Sequence, residues 1–197
     1  MSNRPDGNQN NCAIICLWIS LALVILTLCL DSRHVWGADA LDPALQAKVD
    51  DQIKAIQGWA GDPVILDAVK AQNANLAGDY TAMTQDQWKD LSKLDPLVRY
   101  FDKNPAGTFL KGKRSDTVIR AFLSDASGRK VAFTTKTLSW SHKGDPKHEV
   151  PMTGKTWQGP VEQDKASGYE QIQIGVPIMD GDKAIGSLVV ALNVSKL

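Results

Sequence analysis

A chain of 197 residues with 22 Lys and Arg against 22 Asp and Glu has room for one domain and a short additional segment, and its even charge supplies no basic face for nucleic acid. Its three cysteines, Cys12, Cys16 and Cys29, all fall within the first forty residues. Beyond Ala40 the composition therefore excludes a disulfide framework, a cysteine-bound zinc and an iron–sulfur centre.

Residues 1–40 read as a signal peptide or an N-terminal membrane anchor. From Ala13 to Leu30 there is no charged side chain. A run of that length spans a bilayer as a helix, because its backbone groups satisfy one another. It serves equally as a signal core, and Val35-Trp-Gly37 and Ala38-Asp-Ala40 offer the small residues of a cleavage site. Both readings make the remainder, 41–197, an exported domain, periplasmic or held at the membrane. Cys29 follows Leu26-Thr27-Leu28 rather than a small residue, which favours a buried apolar cysteine over a lipidated one.

The first predicted helix of the exported part runs from Asp42 to about Gly58. Leu45, Val49, Ile53 and Ile56 recur at spacings of three and four, and Asp42-Pro43 supplies a cap and a first-turn proline. Asp62-Pro63 opens a second helix carrying Val64, Ile65, Leu66, Ala68 and Val69. Thr84-Gln-Asp-Gln87 has the form of a capping box ahead of Trp88, Leu91 and Leu94. Asp95-Pro96 restarts the helix through Leu97, Val98 and Phe101, and Asn104-Pro105-Ala-Gly107 is expected to end the helical half. Trp59 and Trp88 are expected in the core, and Lys111, Lys113 and Arg114 in a solvated loop.

The second half changes character. Thr117 to Ser124 predicts a strand, Asp125-Ala-Ser-Gly128 a turn, and Lys130 to Thr135 the returning strand. Alternation puts Ile119, Ala121 and Leu123 on one face of the first strand and Val118, Arg120 and Phe122 on the other. Leu138 to about Ala166 is irregular, broken by Gly144, Pro146, Pro151, Gly154, Gly159 and Pro160; a stretch of that length in a small domain usually carries function. Tyr169 to Ile178 alternates polar and apolar, Asp180-Gly-Asp-Lys183 turns it, and Ala184 to Val194 closes the sheet. Helices, hairpin, crossover, hairpin is the order of an α+β domain with an antiparallel sheet.

In that order the pieces resemble the Cache family, the extracytoplasmic relatives of PAS sensor domains. The resemblance rests on the amphipathic helix after an apolar segment, on Ala121-Phe-Leu-Ser-Asp-Ala-Ser-Gly128, and on Gly154-Lys-Thr-Trp157 followed by Asp164-Lys-Ala-Ser-Gly168. Its most specific part is Ile174-Gly-Val-Pro-Ile-Met-Asp180, then Ala184-Ile-Gly-Ser-Leu-Val-Val190. It covers residues 42–197. It implies a PAS/Cache-like central antiparallel sheet of five or six strands, a long N-terminal helix packed on one face, and a small ligand on the other face under the loops between hairpins. It further implies a sensor of small organic acids or similar solutes, without cofactor or catalysis, that reports to a signalling partner. The chain departs from the pattern in two places. The sequence stops at Leu197 without a second membrane segment or output module, so the expected output lies in a partner protein. Asn193 stands where amino-acid-binding members carry an aspartate for the ligand's amine, which favours an organic acid.

Arg120 is the first candidate for a binding residue. Its planar fork suits a carboxylate, though an ion pair or a solvated edge position explains a strand-borne arginine equally well. Trp140 and Trp157 flank the crossover and are read either as pocket walls or as a lid packed on the core. Tyr169, Gln171 and Gln173 share a strand face that meets either a ligand or water. Asp164 orients a ligand donor or shapes a turn. His142, Asp145, His148 and Glu149 have the donor atoms for a divalent metal, and with it a metal-dependent hydrolase, but they lie in a loop and form no helix-borne pair. No nucleophile elbow or phosphate loop is present. An exported interaction module with a degenerate pocket stays open as the other class, and the apolar face of the first helix suits a homodimer.

Overall fold

The computed structural model describes residues 41–74, 82–164 and 168–197. The apolar run at 13–30 lies outside the described residues, and among the described ones no helix is long and apolar enough to cross a membrane.

The helices of the first half begin where aspartate, threonine or asparagine side chains accept the first free amides. Helix α1, Pro43–Ala60, starts at Asp42, whose carboxylate accepts from the amides of Ala44 and Leu45. Helix α2 is Pro63–Ala74. Helix α3, Gln85–Asp90, begins on the expected capping box: the Gln87 amide donates to Thr84 Oγ1, and the Thr84 amide to Gln87 Oε1. Asp95 caps α4, Pro96–Lys103. Asn104-Pro105 does not end the helical half. Asn104 accepts from the Gly107 amide and starts α5, Pro105–Gly112, because a proline at the first helical position has no amide to satisfy. The basic cluster closes that helix: Lys111 pairs with Asp102 at 2.6 Å, and Lys113 sits over the rings of Phe109 and Trp59.

Five strands follow: β1 Val118–Asp125, β2 Lys130–Phe133, β3 Trp157–Gln163, β4 Glu170–Asp180 and β5 Lys183–Asn193. They pair antiparallel in the order β2-β1-β5-β4-β3. The crossover is less irregular than its prolines suggest. It holds β3 and a short helix α6, Pro146–Met152. The result is the α+β, PAS/Cache-like arrangement that the resemblance implied.

The two sheet faces have different jobs. Ala121 and Leu123, Leu188, Val190 and Leu192, and Ile172, Ile174, Val176 and Ile178 line one face. They pack against Val49 and Ile56 of α1, Ile65 and Val69 of α2, and Ala106 and Leu110 of α5. Val118 joins this core rather than the opposite face, because the register shifts between Val118 and Arg120 and breaks the simple alternation. The other face carries Arg120, Phe122 and Ser124 on β1, opposite Ala191, Val189 and Ser187 on β5. At its β2 end Phe122, Phe133 and Val189 form a second cluster with Trp88, Leu97, Val98, Phe101 and Trp140. At its β4 end α6 lies directly on the sheet: a Cβ on Gly175 would meet the Lys147 carbonyl at 2.6 Å, so only glycine permits this approach. His148 fastens α6 there, its Nδ1 2.8 Å from Ser187 Oγ.

Candidate functional site

Between the aromatic cluster and α6 the second face stays open over a cavity of about 160 Å³. Its floor is Phe122, Val189 and Ala191, and its walls are Arg120, Gln171, Gln173, Lys147, His142 and the segment Thr137-Leu138-Ser139. It falls below the roughly 300–1,000 Å³ of drug-sized sites, so its scale suits a small molecule. A groove of about 530 Å³ lies elsewhere, between α2 and the α4–α5 turn, but Asp67 is its one charged wall residue. The smaller cavity concentrates the polar chemistry.

Each wall has a support. Arg120 Nη2 donates to Asp164 Oδ2 at 2.9 Å, an ion pair one-third exposed at the guanidinium and nearly buried at the carboxylate. Glu162 Oε1 accepts from Gln171 Nε2 and Gln173 Nε2 at 3.2 and 2.7 Å, and Gln173 Oε1 accepts from Lys147 Nζ at 3.4 Å. One carboxylate on β3 thus orients two amides on β4 and, through Gln173, the lysine of α6. The Leu138 rim is tied to α3: Gln85 Nε2 donates to the Leu138 carbonyl, Gln85 Oε1 accepts from the Trp140 amide, and Trp88 Nε1 donates to the Thr137 carbonyl at 2.8 Å. These bonds hold an otherwise irregular segment against the cavity.

His142 closes one side. Its ring stacks on Phe122 with centroids 4.5 Å apart, and its Nδ1 is 2.6 Å from Asp145 Oδ2. Burial, aided by the positive charge of Lys130, lowers its pKa from 6.5 to about 4. Lys130 itself is fully buried, its Nζ 3.9 Å from the Phe122 ring centre, and burial pulls its pKa well below the usual lysine value. Burial also lowers His148 and raises Asp125.

The His142 shift makes stability depend on pH. Its folded-state pKa lies below the unfolded value, so its contribution is complete above about pH 6.5, declines as pH falls, and is gone below about pH 4. That amounts to about 3 kcal/mol between the two states. His148 acts in the same direction, whereas the raised Asp125 opposes it at the acid end of the window. Urea unfolding from pH 7 to pH 4 is expected to show this loss, and His142→Gln to flatten it; an unchanged slope in the variant would assign the loss to other groups.

The structure brings Arg120, Gln171, Gln173 and His142 to one cavity, with Asp164 behind Arg120, and places Trp140, Trp157 and Tyr169 outside its walls. Trp140 is 4% exposed in the aromatic cluster, its ring centre 5.1 Å from that of Trp88. Trp157 starts β3 opposite Gly175, half-buried against Gly159, and is not a cavity wall. Tyr169 is 54% exposed just before β4, also outside the walls. Asp164 reaches the cavity only through Arg120. His142 and His148 have separate partners, Asp145 and Ser187, and among the described residues no group of three His, Cys, Asp or Glu is placed to hold a metal. The walls that sequence reasoning missed are Lys147, His142 and the Thr137–Ser139 rim. The sequence offers His142 as a metal ligand rather than a pocket wall, with Lys147 beside it in a segment that reads as a loop; the proline at position 146 after Asp145 was the one local sign of a helix there.

No protein-family model matches the chain, and no curated protein matches its sequence. Solved structures similar to it include the sensor domain of the V. cholerae histidine kinase DctB, at 15% identity and a TM-score of 0.40, over 77% of this chain and 54% of that one. The ligand-binding domain of the Pseudomonas aeruginosa amino acid chemoreceptor PctC, in complex with GABA, is similar at 11% identity and 0.43, over 78% and 56%. The sensory domain of a Campylobacter jejuni chemoreceptor with isoleucine bound is similar at 17% identity and 0.38, over 78% and 64%. The chain spans a little over half to just under two thirds of the length of these domains, and the bound GABA and isoleucine are ligands of those proteins.

Proposed function

We propose that residues 41–197 are an exported small-molecule sensor domain that binds a small organic acid in the cavity over the second sheet face, and that it acts by binding rather than catalysis. The observation that carries this reading is the convergence of two cationic side chains, Arg120 and Lys147, with oriented amides above an aromatic and aliphatic floor. Fixed donors over an apolar floor suit an anion with a short carbon body. The nearest approach to a catalytic pair, His148 and Ser187, is sealed under α6 with both residues at most 1% exposed, which supports a structural task for it. A ligand drawing Arg120 and Lys147 together would favour one arrangement of the rim and α6, a shift in population that a partner protein reads. Residues 1–40 would deliver the domain across the membrane or hold it there, and α1 is the element nearest them in sequence through which a homodimer or a signalling partner would feel the change.

One observation favours the second reading, an interaction module with a contracted pocket: Arg120 already has a carboxylate partner in Asp164. A thermal-shift series with acetate, propionate, succinate, benzoate and amino acids separates the two. Saturable stabilisation by a carboxylate is expected, since a ligand of the folded state raises Tm by mass action. A folded protein that responds to none of them would move the function to the protein-interaction reading.

A further inference from the structure

This inference rests on the proposed organic-acid ligand and concerns what else that ligand carries. Besides its two cations, the cavity has two wall residues with buried acceptor atoms that lack a hydrogen-bond partner among the described residues: Gln171 Oε1 and His142 Nε2. Their neighbours define them as acceptors. Gln171 Nε2 donates to Glu162, and a carboxylate only accepts, so the amide oxygen is the end left over. His142 Nδ1 faces the Asp145 carboxylate and so holds the ring proton; in the neutral imidazole Nε2 then carries a lone pair. Burial keeps that ring neutral near pH 7. Gln171 and His142 are 3% and 5% exposed, so water does not serve these atoms freely.

A plain aliphatic acid would answer Arg120 and Lys147 and leave both acceptors bare, and buried acceptors without donors are costly. An ammonium donor would answer them but bring positive charge beside Arg120 and Lys147, with Lys130 Nζ 3.9 Å from the Phe122 ring centre. No carboxylate among the described residues lines the cavity, and those behind its walls are engaged: Asp164 with Arg120, Glu162 with Gln171 and Gln173, Asp145 with His142. A hydroxyl donates without adding charge. We infer that the ligand is a short hydroxycarboxylate, its carboxylate held by Arg120 and Lys147 and its hydroxyl donating its one proton to Gln171 Oε1, with His142 Nε2 left for a second hydroxyl where the ligand carries one.

The test is calorimetric titration of the full chain with acid pairs that differ by one hydroxyl: glycolate and acetate, lactate and propionate, 3-hydroxybutyrate and butyrate, with alanine as the ammonium counterpart of lactate. The hydroxylated member of at least one pair is expected to bind about tenfold tighter or more, since a site built around a hydroxyl discriminates strongly against its absence. In Gln171→Met that ratio is expected to fall toward one. Equal affinities within every pair would overturn this inference and leave the organic-acid reading standing. Alanine binding tighter than lactate would overturn it by assigning the acceptors to an ammonium. No binding by any of the acids would overturn both. The pair comparison in the unaltered protein decides the matter even if Gln171→Met fails to fold.

Discussion

Arg120→Gln is expected to weaken binding of the best-stabilising carboxylate about 100-fold while lowering fold stability by only about 1 kcal/mol. The first figure follows from losing a charge-assisted contact in a partly desolvated site, where truncating one partner costs roughly 2–5 kcal/mol. The second is smaller because the guanidinium is 33% exposed and solvent already screens the pair with Asp164. Two effects therefore have to be separated, and a double variant separates them. Arg120→Gln with Asp164→Asn removes the buried carboxylate along with its partner, so it should recover most of the stability and none of the affinity. Recovery of both would make Arg120 a structural residue that shapes the cavity without touching the ligand. Undiminished affinity in the single variant would remove Arg120 from the site altogether.

Trp88→Ala is expected to be the most destabilising single change considered, at about 3–5 kcal/mol by urea unfolding. Trp88 is fully buried, with ring centres 5.1 Å from Trp140, 6.1 Å from Phe133 and 6.4 Å from Phe101. Removing the indole opens a cavity among three other large rings that cannot close on it. Against a total stability of about 5–15 kcal/mol, that loss approaches the margin of folding. Trp88→Phe is the informative companion. It keeps most of the volume but loses the Nε1 bond to the Thr137 carbonyl, which ties the cavity rim to α3. The milder variant should therefore fold, unfold about 1–2 kcal/mol more easily, and bind carboxylates more weakly because its rim is less fixed. A Trp88→Phe protein with full affinity would show that the rim needs no such anchor.

The two variants also mark where packing and binding meet. The aromatic cluster and the cavity share Phe122 and Val189, so the floor of the site is the edge of a core. His142 stacks on that same Phe122, and the buried Lys130 ammonium lies 3.9 Å from its ring centre. A ligand pressing on this floor acts on side chains that reach α3, α4 and β2 together. That gives the proposed population shift a physical route away from the cavity.

How much was legible beforehand varies by interaction range. The Asp-Pro pairs at 42–43, 62–63 and 95–96 and the Thr84 capping box named helix starts, because a cap is a bond between residues two or three apart; Asn104-Pro105 carries the same signal but in sequence reads as an end. The hairpin turns at 125–128 and 180–183 were equally local. Within each strand alternation set Ala121 and Leu123 against Arg120, and Ile172 and Ile174 against Gln171 and Gln173, since a pleat alone sets that; that the two sets share a sheet face follows from the pairing. Alternation misplaced Val118, because a register shift follows from how β1 meets β5 and leaves no mark in β1 itself.

By itself, then, the sequence determined an α+β domain with an antiparallel sheet and which neighbours on a strand share a side, Arg120 with Phe122 and Gln171 with Gln173. Tertiary structure decided the rest. Arg120 meets Asp164 across 44 residues, and Trp88 reaches Thr137 across 49. Trp140 left the cavity for the core while Lys147 and His142 entered it, because α6 settled on Gly175 and pulled its flanking segment over the sheet. Side-chain periodicity specifies a direction, whereas a cavity needs several directions to meet at one point. Strand order and register, which depend on the whole chain at once, are what bring them there.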